Sequence, residues 1–529
     1  MTRWVMLADL DRCVGCQTCT AACRHANATS PAVQWRKVLD IEAGSYPDVS
    51  RTFVPVGCQH CADPPCMHVC PSTATRQRAD GIVTIDYDIC IGCAYCDVAC
   101  PYQARFKVDA PRFAYGDTAL QNETEREDPS RIGVAQKCTF CSDRIDFGLA
   151  HDLTPGLDPR ATPACVNACI ADALHFGDID DPGSNVSRLL REQQHFRMHE
   201  EIGTQPGFYY LYGKAAEAEA PAAGATSVLP KTIGKLRATG VEPWHQRHWD
   251  WKAAGNFICG GAGAGLFVFA ALADLLLGTS FPLGWIALAL VALGLFLVLL
   301  KIGRPWRSLY VLRQPQRSWM AREAWIAAFL FPFASLAAWV DGPAFMIPAA
   351  VLALGFLLSQ AMILRESKGI PAWRTPRIVA LMIATGLAEG AGLLLAAAAV
   401  LPSLASVTEL AAVVGLTMAA ARAWSWRSYL RGLRVEGAPA HALGVLERFA
   451  PWFLVLGLTL PMALIILALA APHAVLFTVA GLCIAGAGAE LKFILVTRAG
   501  YNQGFALAHL RERGRGISLL GVKPGWVAQ

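Results

Sequence analysis

Two hydrophobic patterns divide the chain. Up to about Tyr212, apolar and polar positions alternate over short distances, broken by Gly, Pro and charged residues; beyond about Lys252, long runs of Ala, Leu, Gly and Val take over. Short alternating segments predict strands, among them TRWVMLADLDRC ending at Cys13 and GIVTIDYDIC ending at Cys90, each leading into a cysteine loop. The stretches Gln34 to Phe53 and Asp109 to Ile132 read as surface excursions, and Asp143 to Pro163 as a long insertion. The second half holds eight apolar runs, at 253–277, 281–300, 323–340, 344–364, 377–401, 406–425, 450–471 and 474–496. A bilayer crossing needs roughly 20 such residues. Eight runs joined by short loops leave no amphipathic face for water, which argues for a membrane bundle over a buried soluble core. Small residues at close spacing, as in GGAGAG from Gly260 and AGAGAE ending at Glu490, suit helices packed backbone to backbone. The expected organisation is 1–212 as a mixed domain, 213–250 as an Ala- and Pro-rich linker with a basic interfacial end, 251–498 as eight helices and 499–529 as a tail.

Composition averages these halves: 54% of residues are hydrophobic and the formal net charge is +5. The positive charge is not scattered. Lys231, Lys235, Arg237, Arg247 and Lys252 precede the first run, and Lys301, Arg304, Arg307, Arg313, Arg317 and Arg322 follow the second. Arg365, Lys368, Arg374 and Arg377 follow the fourth; Arg422, Arg427, Arg431, Arg434 and Arg448 follow the sixth; Arg498, Arg511, Arg513 and Arg515 follow the eighth. The opposite loops, near Gly278, Asp341, Leu401 and Ala471, carry no Lys or Arg. Basic residues stay on the cytoplasmic side, so both termini and the mixed domain are expected in the cytoplasm, at the inner membrane. That asymmetry accounts for the net charge without a nucleic-acid partner.

Sixteen of the 18 cysteines fall into four groups: Cys13, Cys16, Cys19, Cys23; Cys58, Cys61, Cys66, Cys70; Cys90, Cys93, Cys96, Cys100; and Cys138, Cys141, Cys165, Cys169. The first and third follow C-x2-C-x2-C-x3-C, a run that wraps a [4Fe-4S] cluster and sends its fourth cysteine to a second one. Cys70-Pro71 and Cys100-Pro101 mark the second and third groups as one pseudo-symmetric unit. Exchanging fourth ligands predicts one set of Cys58, Cys61, Cys66, Cys100 and another of Cys90, Cys93, Cys96, Cys70. By elimination the outer groups supply Cys13, Cys16, Cys19, Cys169 and Cys138, Cys141, Cys165, Cys23. The last two sets depart from the run, since Arg24 and Ile170 replace the proline. Four [4Fe-4S] clusters follow. A disulfide scaffold would need a secreted chain, and no signal-peptide apolar core precedes Cys13. Structural zinc would use paired C-x2-C motifs and not the interlocked run. The fold class expected is an α+β double-ferredoxin-like domain holding four clusters, followed by an all-α eight-helix transmembrane bundle.

The segments VGCQTC, PPCMHVCP, IGCAYC and KCTFC resemble the iron-sulfur subunit of complex iron-sulfur molybdoenzymes of the dimethyl sulfoxide reductase type. The C-terminal half resembles that family's eight-helix anchor, with KIGRPWRSL at Lys301–Leu309 and SWMARE at Ser318–Glu323. The resemblance implies a fused electron wire and anchor, a separate molybdopterin catalytic subunit as partner, and exchange of electrons with membrane quinone. Lys301 stands where some relatives have His, and the gap from Cys141 to Cys165 is long. A cytoplasmic cluster domain fits relatives resembling sulfite:quinone oxidoreductase, which is the favoured reading, or phenylacetyl-CoA:acceptor oxidoreductase, better than a dimethyl sulfoxide or polysulfide reductase working outside.

Quinone chemistry needs a hydrogen-bonding pocket and a proton donor. His245 and His248 before the first run, Arg304 in the GRP element, and Arg322 with Glu323 opening the third run are the candidates, against positive-inside and interfacial roles. Glu389 lies inside an apolar run, where a carboxylate is costly; it transfers protons or makes a structural hydrogen bond. Glu490 and Lys492 are expected to neutralise each other, and Cys259 and Cys483 to pack. A redox-driven proton-pump module is disfavoured by the single embedded carboxylate and the lack of a continuous polar track. An electron-input protein fed by a soluble ferredoxin, without a molybdenum partner, is a further alternative. No nucleotide fingerprint, nucleophile elbow or haem C-x-x-C-H occurs, so substrate chemistry is assigned to the partner and no catalytic residue to this chain.

Overall fold

The computed structural model describes residues 2–31, 33–45, 48–126, 128–214, 237–239, 241–278, 282–339, 343–471, 473–505, 507–511, 518–522 and 525–526. Two compact units emerge, Met1–Trp244 with Asn502–Gln529, and His245–Tyr501. Most of the expected linker, residues 215–236 with Lys231 and Lys235, lies outside the described residues, as do Arg513, Arg515 and loop positions 279–281, 340–342 and 472.

In the first unit a four-stranded sheet joins the two ends of the cysteine region. Trp4–Asp9 lies inside it, parallel to Phe208–Lys214 and antiparallel to Leu174–Asp178, while Gln193–Phe196 pairs antiparallel with Phe208–Lys214. Every residue of Trp4–Asp9 is buried, the pattern of a strand covered on both faces. The expected excursion from Gln34 to Phe53 forms instead a hairpin of Arg36–Ser45 and Asp48–Gly57, registered from Arg36 opposite Gly57. Leu39, Ile41, Val54 and Val56 point inward from it at the two-residue period of a half-buried ribbon. The described residues just after Tyr501 do not stand apart as a tail. Phe505 and Leu507 are buried in the core of the first unit, Gln503 Nε2 donates to Pro101 O at 3.1 Å, and Asn502 Oδ1 accepts from Trp244 N at 3.1 Å. Apolar side chains outweighed sequence distance here.

In the second unit, seven helices among the described residues are long and apolar enough to cross a membrane: Trp251–Leu277, Trp319–Trp339, Pro343–Arg365, Arg377–Val400, Pro402–Glu436, Ala440–Ala470 and Ala474–Thr497. The expected second run appears as the 18-residue apolar helix Pro282–Leu299, so among the described residues seven of the eight expected runs are full-length spans and the eighth is a shorter apolar helix. Thr408–Glu436 continues well past the expected end at 425, because its last turns keep helix-forming Arg, Leu and Trp. Arg422 is therefore a buried residue within a helix and not a loop charge. Trp251–Leu277 and Arg377–Val400 touch backbone to backbone. A Cβ on Gly265 would lie 2.0 Å from Gly386 O, and one on Gly390 2.0 Å from Gly265 C, which explains the small residues there.

Candidate metal centres

Each cysteine group folds in the same way. An extended or left-handed loop carries the leading thiols, then a short helix carries the third: Thr18–Asn27 with Cys19, Pro65–His68 with Cys66, Tyr95–Val98 with Cys96, and Ala164–Asn167 with Cys165. The fourth thiol comes four residues after the third, within the same helix at Cys23 and just past the helix end at Cys70, Cys100 and Cys169, so the third and fourth thiols reach different places. Gly15 and Gly92 turn their loops with φ of 72° and 71°. A Cβ on Gly15 would strike the Phe53 ring at 2.4 Å.

The thiols gather across groups. Cys13, Cys16, Cys19 and Cys169 line one small cavity, and Cys58, Cys61, Cys66 and Cys100 line another. Cys23 faces Cys138, Cys165 and Cys141, while Cys96 faces Cys93, Cys90 and Cys70. The gatherings follow in a row, since Cys165 also faces Cys19 and Cys138 also faces Cys58. At one end Cys16 is exposed. Burial and facing thiols push Cys93 and Cys100 up to about 12, and burial pushes Cys138 and Cys165 up to about 11, because a thiolate loses hydration there. At exposed Cys16 the Thr18 hydroxyl, 3.3 Å from the sulfur, holds the thiol below its ordinary range. Several donors point at sulfur: Phe140 N to Cys138 at 3.4 Å, Ala173 N to Cys169 at 3.2 Å and Thr75 N to Cys70 at 3.5 Å. Among the described residues no three His, Cys, Asp or Glu side chains are placed to hold a single metal ion. Four thiols around a cavity, with amides turned toward sulfur, fit an iron-sulfur cluster.

Comparison with known proteins decides the family. A 4Fe-4S dicluster domain matches residues 49–114 and a second 4Fe-4S dicluster domain matches 82–170. A selenate reductase subunit of Mesobacillus selenatarsenatis is 39% identical over 227 residues, covering 40% of this chain and 72% of that protein. The putative dimethyl sulfoxide reductase iron-sulfur subunit of Halobacterium salinarum is 40% identical over 228 residues, 40% of this chain and 80% of its own. A sulfite dehydrogenase subunit of Allochromatium vinosum is 36% identical over 228 residues, 40% of this chain and 83% of its own. The chain belongs to the iron-sulfur subunits of molybdoenzyme complexes. It is an electron-transfer subunit whose family implies a separate catalytic partner, and its apolar helices make it a membrane protein with a fused anchor.

Within this iron-sulfur subunit, sequence reasoning overlooked three buried cations. Arg105 Nη2 donates to Cys66 Sγ at 2.7 Å and Nη1 to Thr75 Oγ1 at 3.2 Å. Arg36 lies fully buried with Nη2 against Met6 Sδ at 2.9 Å and its guanidinium 4.9 Å over the Phe208 ring. Lys137 donates to Val83 O and, at 2.6 Å, to Cys138 O. The sequence carries little signal for them, since Lys107 follows Arg105 two residues on and Lys37 follows Arg36 directly.

In the helical unit the quinone candidates separate. Arg322 donates to Pro315 O and Gln316 O, both at 2.7 Å, and stacks over Trp319 at 4.2 Å, so it braces the preceding loop. His245 meets the Tyr501 ring edge to face at 5.3 Å, and burial pushes its imidazole below the usual range. His248 is half-buried, and Arg304 immediately precedes the turn Pro305–Arg313 without capping it through its side chain. Lys301 pairs with Asp250 at 3.3 Å. Glu323 is buried and accepts from Asn256 Nδ2 at 3.3 Å, and Gln360 Nε2 donates to Asn256 O at 3.0 Å. Lys492 does not pair with Glu490, which is exposed; it bonds Glu389 Oε2 at 2.5 Å and Phe257 O at 2.8 Å. Lys492 Nζ and Gln360 Oε1 both crowd the space a side chain at Gly261 would take. Arg422 faces Glu389 and donates to Ile484 O at 2.7 Å and Gly457 O at 2.9 Å. The expectation of one isolated carboxylate without a polar track is thus corrected. Glu323, Asn256, Gln360, Lys492, Glu389 and Arg422 follow one another through the helical unit.

Two wide π turns supply this chain of groups with acceptors. Asn256–Gly260 contains Phe257, and Val455–Thr459 contains Gly457, whose carbonyls take the buried Lys492 and Arg422. At Gly457 the cause is legible: Pro461, four residues on, has no N–H to donate back.

Proposed function

We propose that the subunit relays electrons between a molybdopterin catalytic subunit and the membrane quinone pool through four [4Fe-4S] clusters. The observation that carries it is the gathering of sixteen thiols into four sets in a row. Cys13, Cys16, Cys19 and Cys169 hold the first cluster; Cys138, Cys141, Cys165 and Cys23 the second; Cys58, Cys61, Cys66 and Cys100 the third; Cys90, Cys93, Cys96 and Cys70 the fourth. Bound clusters supply one-electron acceptance and release, and the chain's own residues bury them, direct N–H groups at sulfur and keep neighbouring sets adjacent. Glu323, buried beside Asn256, is the quinone-site carboxylate this reading favours, with His245 and His248 at the same end of the first helix and Arg322 and Arg304 positioning the loops. Glu389 carries protons only with Lys492 as its partner.

The cluster domain faces the cytoplasm, on the strength of the basic loops, and the complex oxidises sulfite: sulfite and water give sulfate, two protons and two electrons, and quinone takes up two electrons and two protons. The sulfite dehydrogenase subunit among the relatives supports that substrate. A reductase direction is the second reading, favoured by the somewhat higher identity to the selenate and dimethyl sulfoxide reductase subunits; phenylacetyl-CoA oxidation is a third. Adding sulfite to the purified complex and following the clusters by low-temperature EPR separates them. Prompt reduction supports sulfite oxidation, whereas reduction by quinol alone turns the substrate search to thioesters or reducible oxides and reduction by neither sinks the relay.

A further inference from the structure

Arg36 and Arg105 occupy matching places in the row of thiol sets. Arg36 faces Cys19 of the first set and Cys165, Cys138 and Cys23 of the second. Arg105 faces Cys66, Cys58 and Cys100 of the third set and Cys96 of the fourth. Each is buried, and among the described residues neither has a carboxylate partner; Arg36 Nε and Nη1 lack a hydrogen-bond partner of good geometry. A guanidinium keeps its proton under nearly all conditions and is weakly hydrated, so it is the cation best suited to such a place. Taking an unpaired charge out of water is costly unless anions lie close. Here the nearest groups able to become anionic are thiols from two sets at once. Neither the Met6 sulfur nor the Phe208 ring compensates a full charge.

We propose that Arg36 and Arg105 are positioning charges, one for each pair of clusters, that hold both clusters of the pair at a more positive reduction potential. The inference rests on the cluster reading above. Each cluster gains one negative charge when it takes an electron, and a fixed cation nearby stabilises the reduced form more than the oxidised one. One arginine between two clusters raises both together and so keeps electron exchange within the pair near balance. Arg105 adds a charge-assisted hydrogen bond to a ligand sulfur, a second lever in the same direction.

The test is a redox titration of the purified full complex, followed by low-temperature EPR, with iron and acid-labile sulfide measured on each sample. R36Q is expected to keep wild-type iron and to lower the midpoint potentials of two of the four cluster signals, leaving the other two in place. R105Q should lower the complementary two. R36K and R105K, which keep the charge while losing the planar fork, should retain potentials close to wild type. Full iron with unshifted potentials in both glutamine variants overturns the proposal, as does a lysine variant that shifts as far as its glutamine counterpart. If a glutamine variant loads less iron, its lysine partner decides: wild-type potentials support a charge role, and lowered potentials overturn it. A wild-type complex without four [4Fe-4S] signals overturns the cluster reading itself, and is recognised by its iron and sulfide content before any variant is compared.

Discussion

Buried charge is handled differently in the two units. In the helical unit Lys492 meets Glu389, with Arg422 facing the same carboxylate and the remaining donors spent on the carbonyls of Phe257 and Gly457 in the two π turns and of Ile484. In the cysteine unit Arg36, Arg105 and Lys137 are buried, and among the described residues none of them pairs with a carboxylate; their charges face thiols. The first arrangement closes on itself. The second runs its charge balance through sulfur, and so through the metal that sulfur carries. An apolar surround makes each unpaired charge expensive, and the two units answer that cost with a partner from the chain in one case and from the cofactor in the other.

Removing iron should separate them most. Chelation under anaerobic conditions is expected to abolish most of the protease resistance of residues 1–212 while leaving the helical far-ultraviolet dichroism of the membrane unit, because ligation energy is folding energy where thiols must gather. Loss of both signals together would break the comparison. A smaller effect is expected from E389A, which leaves Lys492 buried and unpaired at a cost of about 3–5 kcal/mol, measured by unfolding in detergent. The E389L/K492M double variant should recover the part of that loss that comes from Lys492, since apolar groups of similar size replace that pair while Arg422 still loses the carboxylate it faces. An E389A protein as stable as wild type would show that Lys492 finds compensation elsewhere.

At the surface the effect should be slight. Arg78 holds Asp146 in a two-pronged pair, at 2.8 and 2.6 Å, and that hydrogen bond keeps the carboxyl below its ordinary range. A depressed folded pKa means stability present above the unfolded value near 3.8 and lost as pH falls below it. Half-exposed, the pair contributes roughly 0.5 kcal/mol. D146N should therefore lower the unfolding midpoint slightly at neutral pH and progressively less as pH falls below 3.8, the difference shrinking with salt.

Much of the candidate site was legible in one dimension, because a cluster loop is a local device. The two-residue gaps aim successive thiols at one place and the helical turn after them sends the fourth elsewhere, so spacing with the two Cys-Pro marks grouped Cys58 with Cys100, and Cys23 was assigned to the Cys138 set by elimination. The apolar runs were legible for a similar reason: a span depends on its own composition, as Arg377–Val400 shows. Where a helix is amphipathic at its end the pattern misled, and Thr408–Glu436 outran its expected limit. Tertiary structure alone paired Lys492 with Glu389, 103 residues apart and not with its neighbour Glu490, and brought Phe505 into the core of the cysteine unit. It also set Arg36 and Arg105 between thiol sets. The physical reason is common to all three: a buried charge or ring takes whichever partner the packed chain brings within a few ångströms, and distance along the sequence does not enter that choice.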